Sequence, residues 1–414
     1  MAKKQKKVKP KQVPTKRQLS RWQRQTRMRR IIIIAAVIFL AGILGYVGYG
    51  AYNDKIKPFR QVVIEVNGTS FTMDYYVKML DAYTEGMESS QLYYMVDLVA
   101  NQIVQDELIR QGAESLGINA EAQEIDEKIK ENKLPNDKAY RNIVAVTILR
   151  EKLLENYFGS QLPDAMEQAY IQVMLVESET VANEVIGKVE NGEDFTTLVG
   201  ELSYDSRSKE KGGDLDWLPK ELMPNTFIGD AASSLETGEL SQPIYDESAS
   251  KDVGYWLIEV TDKGEEKGIK ARAILLGSKQ EADEVRTALS DENFAELAKE
   301  HSQYESEDGE LGWLKEEEKE SNDFGDAFNE VVFNLDLNVI SESVKDESVQ
   351  TTGGYWVIKV LEKGEHELRD EVRKGLAYND FTEWLQVQRE TSTINNYLDE
   401  EKKGLAVERV SKGR

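Results

Sequence analysis

The sequence predicts an α+β protein held by an N-terminal transmembrane helix, with a helical domain completed by a C-terminal helix and two tandem α/β domains. Three observations carry this: an uncharged apolar run at 31–53, helical spacing of apolar residues after residue 90, and a repeat of about one hundred residues between 166 and 364.

Ile31 to Asn53 holds no charged side chain and opens with four isoleucines. That supplies the roughly 20 apolar residues that cross a bilayer. Residues 1–30 carry seven Lys and six Arg and no acid, whereas the far side offers only Lys55, Lys57 and Arg60 nearby. The basic tail therefore stays inside, and the bulk of the chain lies beyond the cytoplasmic membrane. The apolar run exceeds a signal-peptide core, so an uncleaved anchor is expected over one cut after Gly50 or Ala51.

Without the thirteen basic residues of the tail, 39 Lys and Arg face 76 Asp and Glu. Such a surface repels nucleic acid. The chain has no cysteine, which excludes disulfides, thiolate metal sites and a lipidated thiol. No acidic run has calcium-loop spacing, so no metal or cofactor is expected, and runs such as Glu316-Glu317-Glu318 read as solvated loops.

The helical domain is assigned to 54–165. Val62 to Val66 and Thr69 to Thr72 read as strands around an Asn67-Gly68 turn. Asp74 is the expected cap of the next helix. Leu92, Met95, Val96, Val99, Ile103, Leu108 and Ile109 then recur at helical spacing. Helices over 120–132 and 138–158 follow, broken at Lys133-Leu134-Pro135-Asn136.

The two α/β domains are assigned to 166–265 and 268–364. Gly254-Tyr255-Trp256-Leu257-Ile258 returns as Gly354-Tyr355-Trp356-Val357-Ile358, and Gly213-Asp214-Leu215-Asp216-Trp217 returns as Gly309-Glu310-Leu311-Gly312-Trp313. Blocks repeated in one order mean duplicated domains. The final segment, 365–414, is read as a helix from about Glu367 to Glu390 and a tail. Leu368, Val372, Leu376, Trp384 and Leu385 form its apolar stripe, expected to cover the helices of 74–160, so that residues 366–400 complete the first domain.

On these residues the chain resembles the PrsA/SurA class of bacterial extracytoplasmic foldases. The likeness runs from the Val66-Asn67-Gly68-x-x-Phe71-Thr72 ribbon to the Trp-Leu of the last helix, and rests most on Lys211-Gly212-Gly213-Asp214-Leu215-Asp216-Trp217, Gly238-Glu239-Leu240-Ser241-Gln242-Pro243 and Gly254-Tyr255-Trp256. The resemblance implies a SurA-like helical domain and two parvulin-like prolyl isomerase domains. An X-Pro bond rotates over a barrier of about 18–20 kcal/mol, which an apolar pocket and a stabilised twisted amide lower without nucleophile or metal. In the family that pocket adjoins two histidines. Here the first-strand position lies in Val173-Met174-Leu175-Val176 and Ala273-Ile274-Leu275-Leu276, and the last-strand position is Trp256 and Trp356, so all four are replaced. The only histidines, His301 and His366, fall elsewhere. Asp205 is the one retained family-type acid; the second copy has Gln303-Tyr304 there.

The resemblance therefore implies a chaperone that binds unfolded or nascent exported polypeptides on open apolar grooves. The expected walls are Met174, Leu222, Met223, Phe227 and Trp256 in copy one, and Ile274, Phe324, Phe328, Phe333 and Trp356 in copy two. Apolar contacts of about 1–3 kcal/mol per side chain survive loss of the polar network. Two alternatives stay open: an active prolyl isomerase working by desolvation, and a structural envelope scaffold. Tryptophan in an apolar strand also has an ordinary reading as core. Membrane lipid around 31–53 and a second copy of the chain are the other expected partners.

Overall fold

Asn67 and Gly68 both take positive φ, 49° and 84°, which joins β1 (Val62–Val66) to β2 (Thr69–Thr72) in the tight turn a right-twisted hairpin needs. This computed structural model describes residues 56–264, 267–290 and 292–413, with isolated positions 28, 29, 39, 49 and 52. Apart from those five positions, the basic tail and the apolar run at 31–53 lie outside the described residues. Among the described residues no helix is long and apolar enough to cross a membrane. The chain divides into two units, Met1–Tyr157 with Asp380–Arg414, and Phe158–Asn379.

In the first unit the hairpin leads into helices Met73–Tyr83, Leu92–Ser115, Ala122–Glu131 and Lys138–Lys152, the last running on through a π-helical turn at Leu153–Phe158. Thr72, not Asp74, caps the first of them by accepting from the Tyr75 amide at 3.4 Å; Asp74 sits in the first turn and pairs with Lys78. The core joins Val63, Ile64, Met73, Tyr76, Met79, Leu80, Val96 and Ile103 to Ala406 and Val410. Those last two belong to a helix, Glu400–Gly413, expected only as tail, and strand β11 (Ile394–Asn396) adds antiparallel to β1.

Trp384 and Leu385 fold back as expected. A Cβ on Gly112 would lie 2.3 Å from the Trp384 ring, so the long helix leaves room for that indole. Leu368, Val372 and Leu376 do not join them. They pack with Leu162, Met166, Leu218 and Leu222 in the second unit. The reason is connectivity: the Asp370–Thr391 helix starts three residues after a strand of that unit, so its first turns have that sheet within reach.

Asp106 is buried in the first unit beside Gln102 (2.6 Å) and Tyr83 (3.4 Å), and burial pushes its carboxyl up to about 6. A folded pKa above the unfolded value means the native state binds more protons between about pH 4 and 6, so stability falls as pH rises through that window. Asp106→Asn is expected to stabilise the unit by about 2 kcal/mol at pH 7.5 and to be neutral at pH 4, read from urea unfolding at both values.

In the second unit the strands are β3 (Ala165–Val176), β4 (Asp214–Leu218), β5 (Ile244–Lys251), β6 (Gly254–Gly264), β7 (Gly268–Leu276), β8 (Glu310–Leu314), β9 (Val344–Asp346) and β10 (Thr351–Glu367). They form two four-stranded sheets, ordered β4-β3-β10-β5 and β8-β7-β6-β9. Each sequence repeat was expected to build its own sheet. Instead the repeats exchange their last strands. Trp356 lies opposite Leu175 in the first sheet and Trp256 opposite Leu275 in the second. The shared Gly-Asp-Leu and Gly-Glu-Leu blocks have one local role: the Gly213 and Gly309 carbonyls accept from the Val173 and Ala273 amides, both at 2.9 Å. Gly213 has φ 85°, and a Cβ there would sit 2.4 Å from the Val173 carbonyl oxygen.

Candidate peptide-binding cleft

Period-2 alternation puts Leu175 and Trp356 on one face of the first sheet and Met174 and Val357 on the other. The first face is covered by the Thr226–Ser234 helix, the second by helices Glu179–Glu190 and Phe195–Leu202. The second sheet repeats the plan, with Trp256 and Leu275 against the Asp326–Asn334 helix and Ile274 against Phe294 and Ala298.

This decides where the expected groove residues go. Trp256 is 1% exposed and Trp356 2%, and the strand exchange puts each in the other repeat's set: Trp356 packs with Met223, Trp256 with Phe324 and Phe328. Met174 and Ile274 are buried under the helices of the opposite face, so they cannot line the same surface as the tryptophans. Leu222 is covered by the start of the C-terminal helix. Phe324 and Phe333 are half-buried and Phe328 is buried, while Phe227 alone of the ten stays open, at 49%. In the second module Trp256 is ringed by Tyr304, Phe324 and Phe328 at centroid distances of 5.4, 5.9 and 5.0 Å. The open apolar groove expected there is filled by its own side chains.

Each indole is tied to a buried acid that the sequence reading missed. Trp356 Nε1 donates to Asp246 Oδ2 at 3.0 Å, and Trp256 Nε1 to Asp346 Oδ2 at 3.1 Å. Ser248 and Ser348 complete the pairs, donating from amide and hydroxyl to the other carboxylate oxygen. Asn225 adds a 2.9 Å bond to Asp246, whereas the second module has Gly325 packed against Asp346. Burial opposes ionisation of Asp246, yet the Ser248 and Trp356 donors hold its carboxyl below the usual carboxylate range. The signal was present as Asp246-Glu247-Ser248 and Asp346-Glu347-Ser348, one hundred residues apart.

The first module keeps a cleft of about 400 Å³ lined by Leu175, Tyr204, Asp205, Asn225, Asp246, Lys251 and Trp356 among others. Asp205 is buried and accepts from Ser208 Oγ at 2.5 Å and Arg207 Nε at 3.0 Å. Ser203 Oγ accepts from the amides of Leu175 and Asp205, as Ser302 Oγ does from Leu275 and Tyr304. Lys251, buried and donating to the Thr352 and Gly353 carbonyls, is pushed down to about 8 by desolvation, against the pull of Glu177 and Glu281. The cleft has a tryptophan floor and polar walls whose acids already hold donors. No imidazole lines it. Among the described residues no group of acids or histidines could hold a metal ion.

The PPIC-type PPIase domain family matches residues 174–262 and again, in a second form, 264–364, and the SurA-like N-terminal domain family matches residues 21–143. The chain carries a SurA-like N-terminal domain and two PPIC-type PPIase domains. It is 25% identical over 245 residues to the foldase protein PrsA of Caldanaerobacter subterraneus subsp. tengcongensis, covering 52% of this chain and 78% of that one. It is 27% identical over 271 residues to the chaperone SurA of Chromohalobacter salexigens, covering 58% of this chain and 56% of that one. The crystal structure of a peptidylprolyl isomerase, PrsA, from Bacillus cereus aligns at 15% identity and TM-score 0.28 over 86% of this chain and 92% of that one. The PPIC matches follow the sequence repeats. Each PPIC sheet nevertheless takes its inner tryptophan strand from the other repeat.

Proposed function

We propose that this chain is a membrane-anchored foldase on the outer face of the bacterial cytoplasmic membrane that holds unfolded exported polypeptides, with prolyl isomerisation weak or lost. The observation carrying this is the pair of buried indoles. Where the family resemblance places a histidine, Trp256 and Trp356 fill the sheet face and spend their N–H groups on Asp346 and Asp246. Neither indole N–H is then available to a twisting amide, and no imidazole stands at either position. Likeness to proteins named foldase PrsA and chaperone SurA supports a binding role. The anchor rests on the uncharged run at 31–53.

With the expected grooves closed, the client surface moves to the SurA-like domain. Tyr94 and Leu98, 81% and 59% exposed, stand one turn apart on the Leu92–Ser115 helix, with Tyr93 beside them. Apolar area of that kind gives an unfolded segment something to bury without any fixed sequence. The remaining PPIC cleft of about 400 Å³ favours a secondary reading in which the first module still turns over prolines slowly.

The test is protection of a chemically unfolded protein from aggregation by the full chain in detergent micelles. The native chain is expected to suppress light scattering at equimolar ratio, and Tyr94→Ser with Leu98→Ser to lose most of that at unchanged circular dichroism. Full protection by the double variant would move the binding surface elsewhere. Absence of protection by the native chain, with stoichiometric capture of one envelope protein, would favour a scaffold.

A further inference from the structure

We propose that the strand exchange is written into the sequence, by a short connection and one buried charge pair, and makes the two PPIC repeats a single folding unit. The alternative closed arrangement would return β6 to β3 and β10 to β7. Because Gly254–Val260 and Gly354–Val360 are near copies, either strand fits either sheet sterically, and something else must choose.

The connection is the first selector. Gly264 pairs directly with Gly268, four residues on in the sequence, so β6 and β7 are consecutive antiparallel strands. In the closed arrangement those two strands would be inner strands of different sheets. Four Cα–Cα steps span at most about 14 Å, too short to leave the middle of one helix-covered sheet and enter the middle of another. This pairing also forms from neighbouring residues, with little loop-closure cost.

Charge is the second. Glu259, buried in β6, faces Arg272 of β7, whose Nε and Nη2 reach Oε2 at 2.8 and 2.7 Å. At the same register of the first sheet Lys359 faces Gln172. Closing each repeat on itself would set Lys359 against Arg272 and leave Glu259 opposite a neutral glutamine. Like charges across a sheet repel, and a buried carboxylate loses its counter-ion. At the crossing itself the two passing segments bond to each other: Lys251 donates to the Thr352 and Gly353 carbonyls, and Thr351 Oγ1 to the Val253 carbonyl. Gln303 closes on Thr352 from both sides, accepting from its amide at 2.7 Å and donating to its carbonyl at 3.1 Å.

The chain has no native cysteine, so engineered pairs report topology cleanly. Glu167 and Glu365 are direct partners across β3 and β10, at a spacing a disulfide bridges. Lys270 and Glu362 would be partners only in the closed arrangement, because Lys270 now faces Asp262. In the full chain, Glu167→Cys with Glu365→Cys is expected to crosslink and Lys270→Cys with Glu362→Cys not to. A chain carrying a fifteen-residue Gly/Ser insert after Lys267 plus Glu259→Lys and Lys359→Glu then has both selectors reversed. The ratio of the two crosslinked products is expected to move by more than about tenfold toward 270–362. The insert alone, with native charges, is expected to keep 167–365 in excess. Crosslinking of 270–362 in the native chain would overturn the proposal. So would an unchanged ratio in the doubly altered chain, or loss of both crosslinks from the chain carrying only the insert.

Discussion

Trp356→Ala is expected to remove about 3–5 kcal/mol from the unfolding free energy of the PPIC unit, measured by far-UV circular dichroism in guanidinium. The indole is among the largest fully buried side chains, packed on Leu175, Met223 and Ile228, so truncation leaves a cavity that the surrounding sheet and helix cannot collapse into. It also strips a donor from Asp246, which is itself buried and keeps its bonds from Asn225, Ser248 and the Ala249 amide. Trp356→Phe separates the two effects. It restores most of the packing and none of the N–H, so a loss of about 1–2 kcal/mol is expected from it. If alanine and phenylalanine cost the same, packing is not the ring's main role. Because Trp356 and Trp256 stand in sheets joined by exchanged strands, Trp256→Ala is expected to shift the same single transition.

Arg272→Met is the second large effect, expected at about 3 kcal/mol. The methionine keeps the stem's bulk while leaving the Glu259 carboxylate, 2% exposed, without its counter-charge. Adding Glu259→Met is expected to recover most of the loss, since two apolar side chains facing each other across β6 and β7 have no charge to desolvate. A double variant as unstable as the single one would mean that Arg272 acts through its stacking on Phe294, whose ring centre is 4.3 Å away.

What the sequence disclosed was periodicity and repetition. The hairpin at Asn67-Gly68, the long helix over Leu92–Ser115 and the duplicated strand-helix order all follow from residue patterns that act locally. The strand exchange was hidden because Gly254-Tyr255-Trp256 and Gly354-Tyr355-Trp356 specify the same environment, and similarity cannot say which copy occupies it. The discriminating information sits in single cross-strand pairs such as Glu259 with Arg272, visible only once register is known. The tryptophans were assigned to open grooves on the strength of the family's last-strand position. Alternation within β6 and β10 puts them inside, and Asp246 and Asp346 satisfy their N–H groups there. The Glu400–Gly413 helix escaped notice because its buried face is carried mainly by Ala406 and Val410, one turn apart in a charged stretch.

On the proposed function, these PPIC domains keep their fold while prolyl isomerisation is weak or lost. The most direct test is the cis-to-trans relaxation of a proline tetrapeptide followed by NMR exchange with the full chain present. At most slight acceleration over the uncatalysed relaxation, which takes about tens to hundreds of seconds, is expected at micromolar protein. Turnover matching an intact parvulin domain, abolished by a substitution in the Asp205 and Asp246 cleft, would contradict it.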